Sequence, residues 1–173
     1  MSTKQYISKV LVIDDEGDIR EIIQHFLKGE NLESVSATNI SQAHQILREE
    51  EITAILCDIC MPGGSGIEFL TQIRKVGKLH PITFVTAFEN KNFMIDALRL
   101  GAFDYIVKPF LPEELADVTF RMLEVGKILR AIDENINNLN LGVADLVDLQ
   151  RMYPKLGQYL ANNFQKRSLK KAA

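Results

Sequence analysis

Side chains that could do chemistry follow directly after four short apolar segments of this 173-residue sequence. In chain order they are Asp14, Asp15, Glu16, Asp58, Thr86 and Lys108. Carboxylates a few ångströms apart repel each other, so a cluster of them either takes up protons or binds a cation. Oxygen ligands that share a site with water suit Mg²⁺ better than Zn²⁺ or Ca²⁺. A carboxylate beside Mg²⁺ and a lysine can attack phosphorus and form an acyl phosphate, so the cluster is suited to phosphoryl transfer.

The apolar segments alternate with helical patterns in the first 125 residues. The predicted strands are 10–13, 32–37, 52–57, 82–85 and 103–107, and the predicted helices are 17–28, 40–50, 66–76, 90–100 and one that begins at 111–112. Strict alternation with right-handed crossovers predicts a doubly wound parallel sheet with helices on both faces. Ligands of such sheets bind beyond the carboxyl ends of the strands. Because four of the five strands end in a candidate residue, we expect these residues to meet at one rim.

Each candidate also has a simpler interpretation when it is taken alone. Asp14 and Asp15 could cap the helix that follows them. Thr86 could be a turn hydroxyl, and Lys108, which precedes a proline, could be a solvated loop residue. The combination at one rim favours a functional site over these separate interpretations.

Four motifs in this order resemble the receiver domain of two-component response regulators. They are VLVIDDE at 10–16, CDICMPGGSG at 57–66, FVTA at 84–87 and DYIVKPF at 104–110. The resemblance extends over residues 6–125. It implies a flavodoxin-like, doubly wound, five-stranded parallel sheet with the strand order 2-1-3-4-5.

The resemblance also implies a role for each residue of the cluster. Asp58 would accept a phosphoryl group from the phosphohistidine of a sensor histidine kinase or a phosphotransfer protein. Mg²⁺ would be held by Asp15 directly, by Asp14 directly or through water, by Asp58, and by the backbone carbonyl of Cys60. Lys108 would pair first with Asp58 and then with the phosphoryl oxygens.

A conformational switch is implied in the same way. Thr86 would move to bond the phosphoryl group, and Tyr105 would turn inward into the space that Thr86 vacates. The bond between Lys108 and Pro109 matches a junction that is cis in this family. Cys60 and Phe88 match positions that flank the path of attacking water, and the bulky Phe88 predicts a long-lived phosphoryl group.

Three other features of the sequence have mainly structural interpretations. Cys57 and Cys60 have the spacing of a redox motif, but Cys57 ends a buried strand, which favours packing over redox chemistry. The segment 63–66 (GGSG) lacks the lysine of a phosphate-binding loop and is interpreted as a flexible lip beside Asp58. The three histidines are far apart in the sequence and favour solvated or half-buried positions: His25, His44 and His80.

The remaining residues, 126–173, are predicted to form a helical extension with a basic tail. Residues 1–125 carry 12 Lys and Arg against 19 Asp and Glu, whereas residues 126–173 carry 8 against 4. Apolar residues continue at alternating gaps of four and three, the spacing of a coiled coil. They are Val118, Met122, Val125, Leu129, Ile132, Ile136, Leu139, Val143 and Leu146, and from Leu129 onward we expect no receiver beneath them. The extension could form a homodimer through residues 118–146, fold back as a helical cap, or provide a small DNA-binding unit.

The sequence therefore predicts a phosphorylation-activated response regulator that signals through protein–protein contacts and is not an enzyme with a substrate of its own. One alternative is a transcription regulator with a small DNA-binding unit in the tail, although the net charge of −3 argues against nucleic acid as a partner. Another is a Mg²⁺-dependent phosphatase that forms an aspartyl phosphate. The low cysteine count, the absence of a signal-peptide pattern and the absence of a long apolar run predict a cytoplasmic protein with no membrane span.

Overall fold

Strands and helices alternate along the part of the chain that the computed structural model describes, residues 8–135, with side chains at 8–90 and 93–130. The strands are β1 (Lys9–Ile13), β2 (Glu33–Ala37), β3 (Ala54–Cys57), β4 (Cys60–Met61), β5 (Gly64–Ser65), β6 (Ile82–Thr86) and β7 (Asp104–Val107). The helices are α1 (Gly17–Gly29), α2 (Ile40–Glu49), α3 (Gly66–Lys75), α4 (Lys91–Arg99) and α5 (Pro112–Asn135).

The main sheet has five parallel strands in the order β2-β1-β3-β6-β7. When β4 and β5 are left out of the numbering, this order is 2-1-3-4-5. The predicted flavodoxin-like, doubly wound topology is therefore confirmed.

Strands β4 and β5 form a small antiparallel hairpin that the sequence analysis missed. β5 lies in the segment 63–66 that was interpreted as a flexible lip, and β4 lies just before that segment. The structure gives the lip a defined pairing with β4. Ser65 then caps α3: its hydroxyl accepts a hydrogen bond from the N–H of Ile67, and its own N–H donates to the carboxylate of Glu68. This reciprocal capping fixes the start of α3 directly after the hairpin.

The core lies in two layers, one on each face of the sheet. Alternate residues of a strand point to opposite faces, so Val10 and Val12 of β1 pack with α1 and α5, whereas Leu11 and Ile13 pack with α2, α3 and α4. The three central strands, β1, β3 and β6, are almost entirely buried, and β2 is a more polar edge strand. Within the described helices, none combines the length and the hydropathy that crossing a bilayer requires.

Helix α5 continues past residue 125, where the sequence analysis placed the end of the receiver. Val118, Met122, Val125 and Leu129 are each at most 3% exposed, so this part of the predicted seam belongs to the core of the body. The expectation that nothing lies beneath Leu129 was wrong, and the compact unit that contains the sheet ends at Arg130. The rest of the seam, from Ile132 to Leu146, lies outside the described side chains, and its role in dimerisation stays a prediction.

Gly126 explains how α5 approaches the sheet so closely. A Cβ atom at this position would lie 2.3 Å from the carbonyl oxygen of Thr53, the residue before β3. Only a glycine therefore allows this contact between the two backbones. Four residues later, Arg130 forms an ion pair with Glu51, which lies just upstream of the same strand.

Replacing Gly126 with alanine should destabilise the protein, although alanine favours a helix by about 1 kcal/mol over glycine. The added methyl group must displace the Thr53 backbone, and such overpacking costs about 1–3 kcal/mol. Urea unfolding of the full chain should show a lower free energy of unfolding for Gly126→Ala than for the parent. Gly29→Ala is the control, because a Cβ added at Gly29 would meet no atom within 4 Å. The unfolding free energy of this variant should rise by about 0.5–1 kcal/mol. A Gly126→Ala variant as stable as the parent would contradict this account of the contact.

His80, in the loop before β6, is a half-buried histidine with cations around it. Its Nδ1 atom is buried and has no hydrogen-bond partner among the described residues. Burial lowers the pKa of His80 to about 4, and the positive charges of Lys78, Arg74 and Arg130 act in the same direction against a hydrogen bond with the backbone of Ile52. The imidazole is therefore neutral in the folded protein at neutral pH.

This pKa makes the folding stability depend on pH. An unfolded chain takes up a proton on His80 below about pH 6.5, whereas the folded chain does so only near pH 4. The free energy of unfolding therefore includes a contribution from neutral His80 that is fully present at neutral pH and is lost as the pH falls from 6.5 to 4. The loss from pH 8 to pH 5 should be about 2 kcal/mol. We expect His80→Gln to show a shallower fall in unfolding free energy over this range than the parent does, and His25→Gln, which alters an exposed histidine, is the matched control. Equal slopes for the two variants would show that His80 is not the source.

Candidate functional site

The register of the sheet places Asp14 and Asp58 side by side. Ile13 of β1 pairs with Cys57 of β3, and the two aspartates are the next residues along these parallel strands. The N–H of Asp58 donates to the carbonyl of Ile13 over 2.8 Å, so the two chains are still bonded at the rim. The predicted meeting of these two carboxylates is therefore a direct consequence of strand pairing.

Asp14 is buried, and its polar atoms have defined partners. One carboxylate oxygen, Oδ1, accepts from the N–H of Glu16 over 2.9 Å, and the other, Oδ2, accepts from Lys108 Nζ over 2.7 Å. The backbone carbonyl of Asp14 accepts from Arg20 Nη1 over 2.6 Å. These bonds give the carboxylate one orientation, toward Lys108.

Asp58 is also buried and lies between Lys108 and the β4–β5 hairpin. Its Oδ2 accepts from Lys108 Nζ over 2.9 Å, and its Oδ1 accepts from the N–H of Cys60 over 3.1 Å. Gly66 allows α3 to begin against the backbone here, because a Cβ at that position would lie 2.3 Å from the carbonyl oxygen of Asp58. The hairpin, the start of α3 and Lys108 therefore position Asp58 together.

Lys108 reaches the two aspartates from the far side of β6. It follows Val107, which pairs with Thr86 at the end of β6, and its N–H donates to the carbonyl of Thr86. The ammonium group also lies 3.3 Å from a carboxylate oxygen of Glu16, and the lysine side chain is only 8% exposed. The bond from Lys108 to Pro109 is cis, as the resemblance implies.

Burial and pairing oppose each other in this cluster. Burial raises the pKa of Asp14, and the hydrogen bonds from Lys108 and from the Glu16 N–H offset only part of that rise. Burial alone would lower the pKa of Lys108, but its hydrogen bonds to Asp14 and Asp58 outweigh this effect and raise the pKa above its usual value. Lys108 is therefore a permanent cation that is shared by several carboxylates.

The acidic residues that lie close enough together to hold a metal differ in part from the predicted ligands. Oxygens of Asp14, Glu16 and Asp58 lie within 4.8 Å of one another. Asp15, the predicted direct ligand, is exposed and does not belong to this group, and Cys60 contributes its N–H to Asp58. A set of hard oxygen donors fits Mg²⁺, which keeps several of its waters when it binds to proteins.

Thr86, Phe88 and Tyr105 form a second connected group beside the cluster. Thr86 is buried at the end of β6, and its hydroxyl accepts from the N–H of Phe88 over 3.3 Å. The carbonyl of Phe88 accepts a hydrogen bond from the hydroxyl of Tyr105. Tyr105 is 9% exposed, and burial raises the pKa of its hydroxyl. The ring therefore already occupies an inward position in this structure.

Glu16 and Arg20 contribute to the site in ways that the sequence analysis did not assign. The sequence analysis included Glu16 in the acidic cluster without naming it as a metal ligand, and it gave Arg20 no role. A usable signal was present for Arg20, because it lies four residues after Glu16 on the predicted helix and can therefore reach back to the preceding turn. The carbonyl that it binds could not be inferred from the sequence.

The two cysteines are both free thiols. Cys57 is buried, and burial raises the pKa of its thiol, which disfavours the reactive thiolate. Its Sγ donates to the carbonyl of Asp58 over 3.0 Å. These observations agree with a packing role for Cys57.

Comparison with known proteins identifies the domain that carries this site. The sequence pattern described as the response regulator receiver domain matches residues 10–119. The chain belongs to the response regulator receiver domain family. It is a receiver domain of the two-component type, with the four motifs at the strand ends described above.

Individual relatives agree with this assignment. The chain is 37% identical over 142 residues to an NtrX-like response regulator of Rickettsia bellii, and the match covers 81% of this chain and 29% of the relative. It is 33% identical over 141 residues to the transcriptional regulator ycf27 of Porphyridium aerugineum, covering 82% of this chain and 56% of that protein. The crystal structure of the NtrX receiver domain from Brucella abortus is 31% identical, with a TM-score of 0.63, and covers 66% of this chain and 98% of that domain. The chain thus spans between about a third and just over half of the length of these two curated relatives.

Removal of the Lys108 charge should destabilise the receiver domain. Lys108→Met leaves Asp14 and Asp58 buried without their shared cation, and breaking a buried pair in this way costs about 3–5 kcal/mol. Urea unfolding measures this loss of unfolding free energy, and a chelator in the buffer removes any contribution from bound metal. Lys127→Met is the matched control, because Lys127 is exposed on α5 and methionine and lysine have similar helix propensities. A loss below about 1 kcal/mol for Lys108→Met would show that the pairing contributes little net stability.

Proposed function

We propose that Asp58 accepts a phosphoryl group from the phosphohistidine of a sensor histidine kinase or a phosphotransfer protein. The observation that carries the proposal is the position of the Asp58 carboxylate, 2.9 Å from Lys108 Nζ and next to Asp14. Membership in the receiver family supports the same assignment. In the transfer, a carboxylate oxygen of Asp58 forms a bond to phosphorus, the bond from phosphorus to the imidazole nitrogen breaks, and the imidazole retains the electron pair and is protonated.

Mg²⁺ is the cofactor that we propose for this step. Asp14, Glu16 and Asp58 would hold it, with the Cys60 carbonyl completing the protein ligands and with Asp15 as the ligand that the family resemblance adds. When bound, Mg²⁺ neutralises charge on the phosphoryl oxygens. The three clustered carboxylates exceed the single positive charge of Lys108, so the site favours a divalent cation on electrostatic grounds.

Lys108 and Thr86 would stabilise the phosphoryl group after transfer. A phosphoryl group adds a charge of about −1.5 to −2 near neutral pH together with new acceptor oxygens. Lys108 already lies at the Asp58 carboxylate, and it can exchange one acceptor for another without leaving the site. The Thr86 hydroxyl now accepts from the Phe88 N–H, and we propose that it also donates to a phosphoryl oxygen.

The bonds of Phe88 connect this step to a switch. Phe88 is linked to Thr86 through its N–H and to Tyr105 through its carbonyl. Movement of Thr86 toward a phosphoryl group would therefore change the contacts of Tyr105 in β7. A ligand shifts such an equilibrium only by the difference between its contacts in the two states. The long phosphoryl lifetime that Phe88 suggests stays a prediction.

The output of the switch is proposed to be protein–protein contact, with no turnover of a separate substrate. One of the relatives above is named as a transcriptional regulator, and binding to DNA is therefore the second candidate for the output. The chain spans only part of that relative, and residues 136–173, which contain the basic tail, lie outside the described part of the structure. Homodimerisation and a cytoplasmic location are likewise proposals that rest on the sequence.

The test is covalent labelling of the full chain by a small phosphodonor in the presence of Mg²⁺. Mass spectrometry should show one added phosphoryl group per chain, and alkali or hydroxylamine should remove it, as expected for an acyl phosphate. Asp58→Asn should abolish the label, because an amide oxygen cannot take its place as the nucleophile. Asp96→Asn, which alters an exposed carboxylate on α4, should be labelled like the parent.

Two results would contradict the proposal. Full labelling of Asp58→Asn would place the phosphoryl group on another residue. Release of many equivalents of phosphate per chain from a phosphate ester would instead favour the phosphatase alternative.

A further inference from the structure

Arg20, in the first turn of α1, reaches back to the turn that carries the acidic residues. Its Nη1 donates to the backbone carbonyl of Asp14 over 2.6 Å, and its own N–H donates to the carbonyl of Glu16 over 3.2 Å. The side chain is partly buried. Both bonds lead to the two residues whose carboxylates belong to the possible metal group.

The bond from Arg20 adds to the bonds that already hold this turn, in which the N–H of Glu16 donates to the carboxylate of Asp14. Glu16 is the N-cap residue of α1, and its side chain makes no capping hydrogen bond. On the strand side, the N–H of Asp14 donates to the carbonyl of Ala37. On the helix side, the Arg20 guanidinium donates to the carbonyl of Asp14, which lies along the chain between the side chains of Asp14 and Glu16. Lys108 Nζ binds the two carboxylates themselves.

The choice of a carbonyl as the acceptor leaves the carboxylates available. The side-chain donor that the described residues place on the carboxylates of Asp14, Glu16 and Asp58 is Lys108. Arg20 therefore orients the acidic turn without occupying the oxygen atoms that would bind a cation. An arginine suits this task, because its planar guanidinium is always charged and presents its donors in a fixed geometry.

We propose that Arg20 is a positioning residue that sets the affinity of the acidic cluster for a divalent cation by holding the Asp14–Glu16 turn. This inference rests on the proposed function, in which that cluster binds Mg²⁺. Residues that orient metal ligands without touching the metal typically contribute about 10- to 100-fold to metal affinity. Arg20 acts through the backbone of a ligand, so we expect its loss to weaken Mg²⁺ binding by about tenfold or more.

The experiment compares Mg²⁺ binding by the full chain, by Arg20→Met and by Arg20→Lys, with isothermal calorimetry as the readout. Arg20→Met keeps the length of the side chain but has no donor, and it should bind about tenfold more weakly or worse. Arg20→Lys keeps one charged donor and should recover a large part of the affinity. Arg48→Met, which alters an exposed arginine on α2, should bind like the parent.

A second readout separates positioning from a general loss of structure. The rate of labelling by a small phosphodonor is measured against the Mg²⁺ concentration. For Arg20→Met, the concentration at half-maximal rate should rise about tenfold, while the rate at saturating Mg²⁺ should stay within about twofold of the parent. A merely unstable variant would instead lose its maximal rate in proportion to its unfolded fraction.

The possible failures are distinguishable. Absence of Mg²⁺ binding by the parent chain would contradict the proposed function itself. Binding by the parent and equally tight binding by Arg20→Met would overturn the role of Arg20 and leave the proposed function intact. If Arg20→Met does not fold, Arg20→Lys and Arg20→Gln replace it. The inference then requires that the parent binds Mg²⁺ most tightly, that Arg20→Lys binds it more weakly, and that Arg20→Gln binds it most weakly.

Discussion

The arrangement of the site depends on one ammonium group that is shared by three carboxylates. Lys108 lies 2.7 Å from Asp14, 2.9 Å from Asp58 and 3.3 Å from Glu16. Asp14 and Asp58 are buried, and their carboxylate oxygens lie within 4.8 Å of each other. Buried like charges that are so close repel strongly unless a cation lies between them. The ammonium group at the end of β7 therefore offsets the repulsion that arises where the ends of β1 and β3 come together. The same excess of negative charge makes the cluster suitable for a divalent cation.

The geometry of this interaction follows from the strand register. β1 and β3 are neighbours and end at the same level, so their next residues are adjacent aspartates. β6 separates β3 from β7, and a lysine is long enough to reach across the end of that strand. The order β2-β1-β3-β6-β7 thus determines which residues meet at the rim.

Glycines hold β3 closely at both ends. Gly66, at the start of α3, lies against the carbonyl of Asp58, and Gly126, in α5, lies against the carbonyl of Thr53. A Cβ at either position would come within 2.3 Å of a backbone oxygen. The strand that presents Asp58 is therefore fixed by two backbone contacts that larger residues would prevent, in addition to its ladder hydrogen bonds.

The sequence by itself determined the alternation of strands and helices, the parallel sheet and the identity of the polar residues at its carboxyl rim. These follow from short-range patterns: apolar runs of strand length, helical periodicity, and a polar residue directly after each run. The tertiary structure alone decided that Glu16, and not Asp15, lies with Asp14 and Asp58, because the direction of a side chain in a turn depends on its tertiary contacts, here the contact of the Glu16 carboxylate with Lys108. It also decided that Leu129 is buried and that α5 passes through Gly126 without a break. A glycine in a helix can be a weak point or a place of close approach, and only the position of the neighbouring backbone tells which.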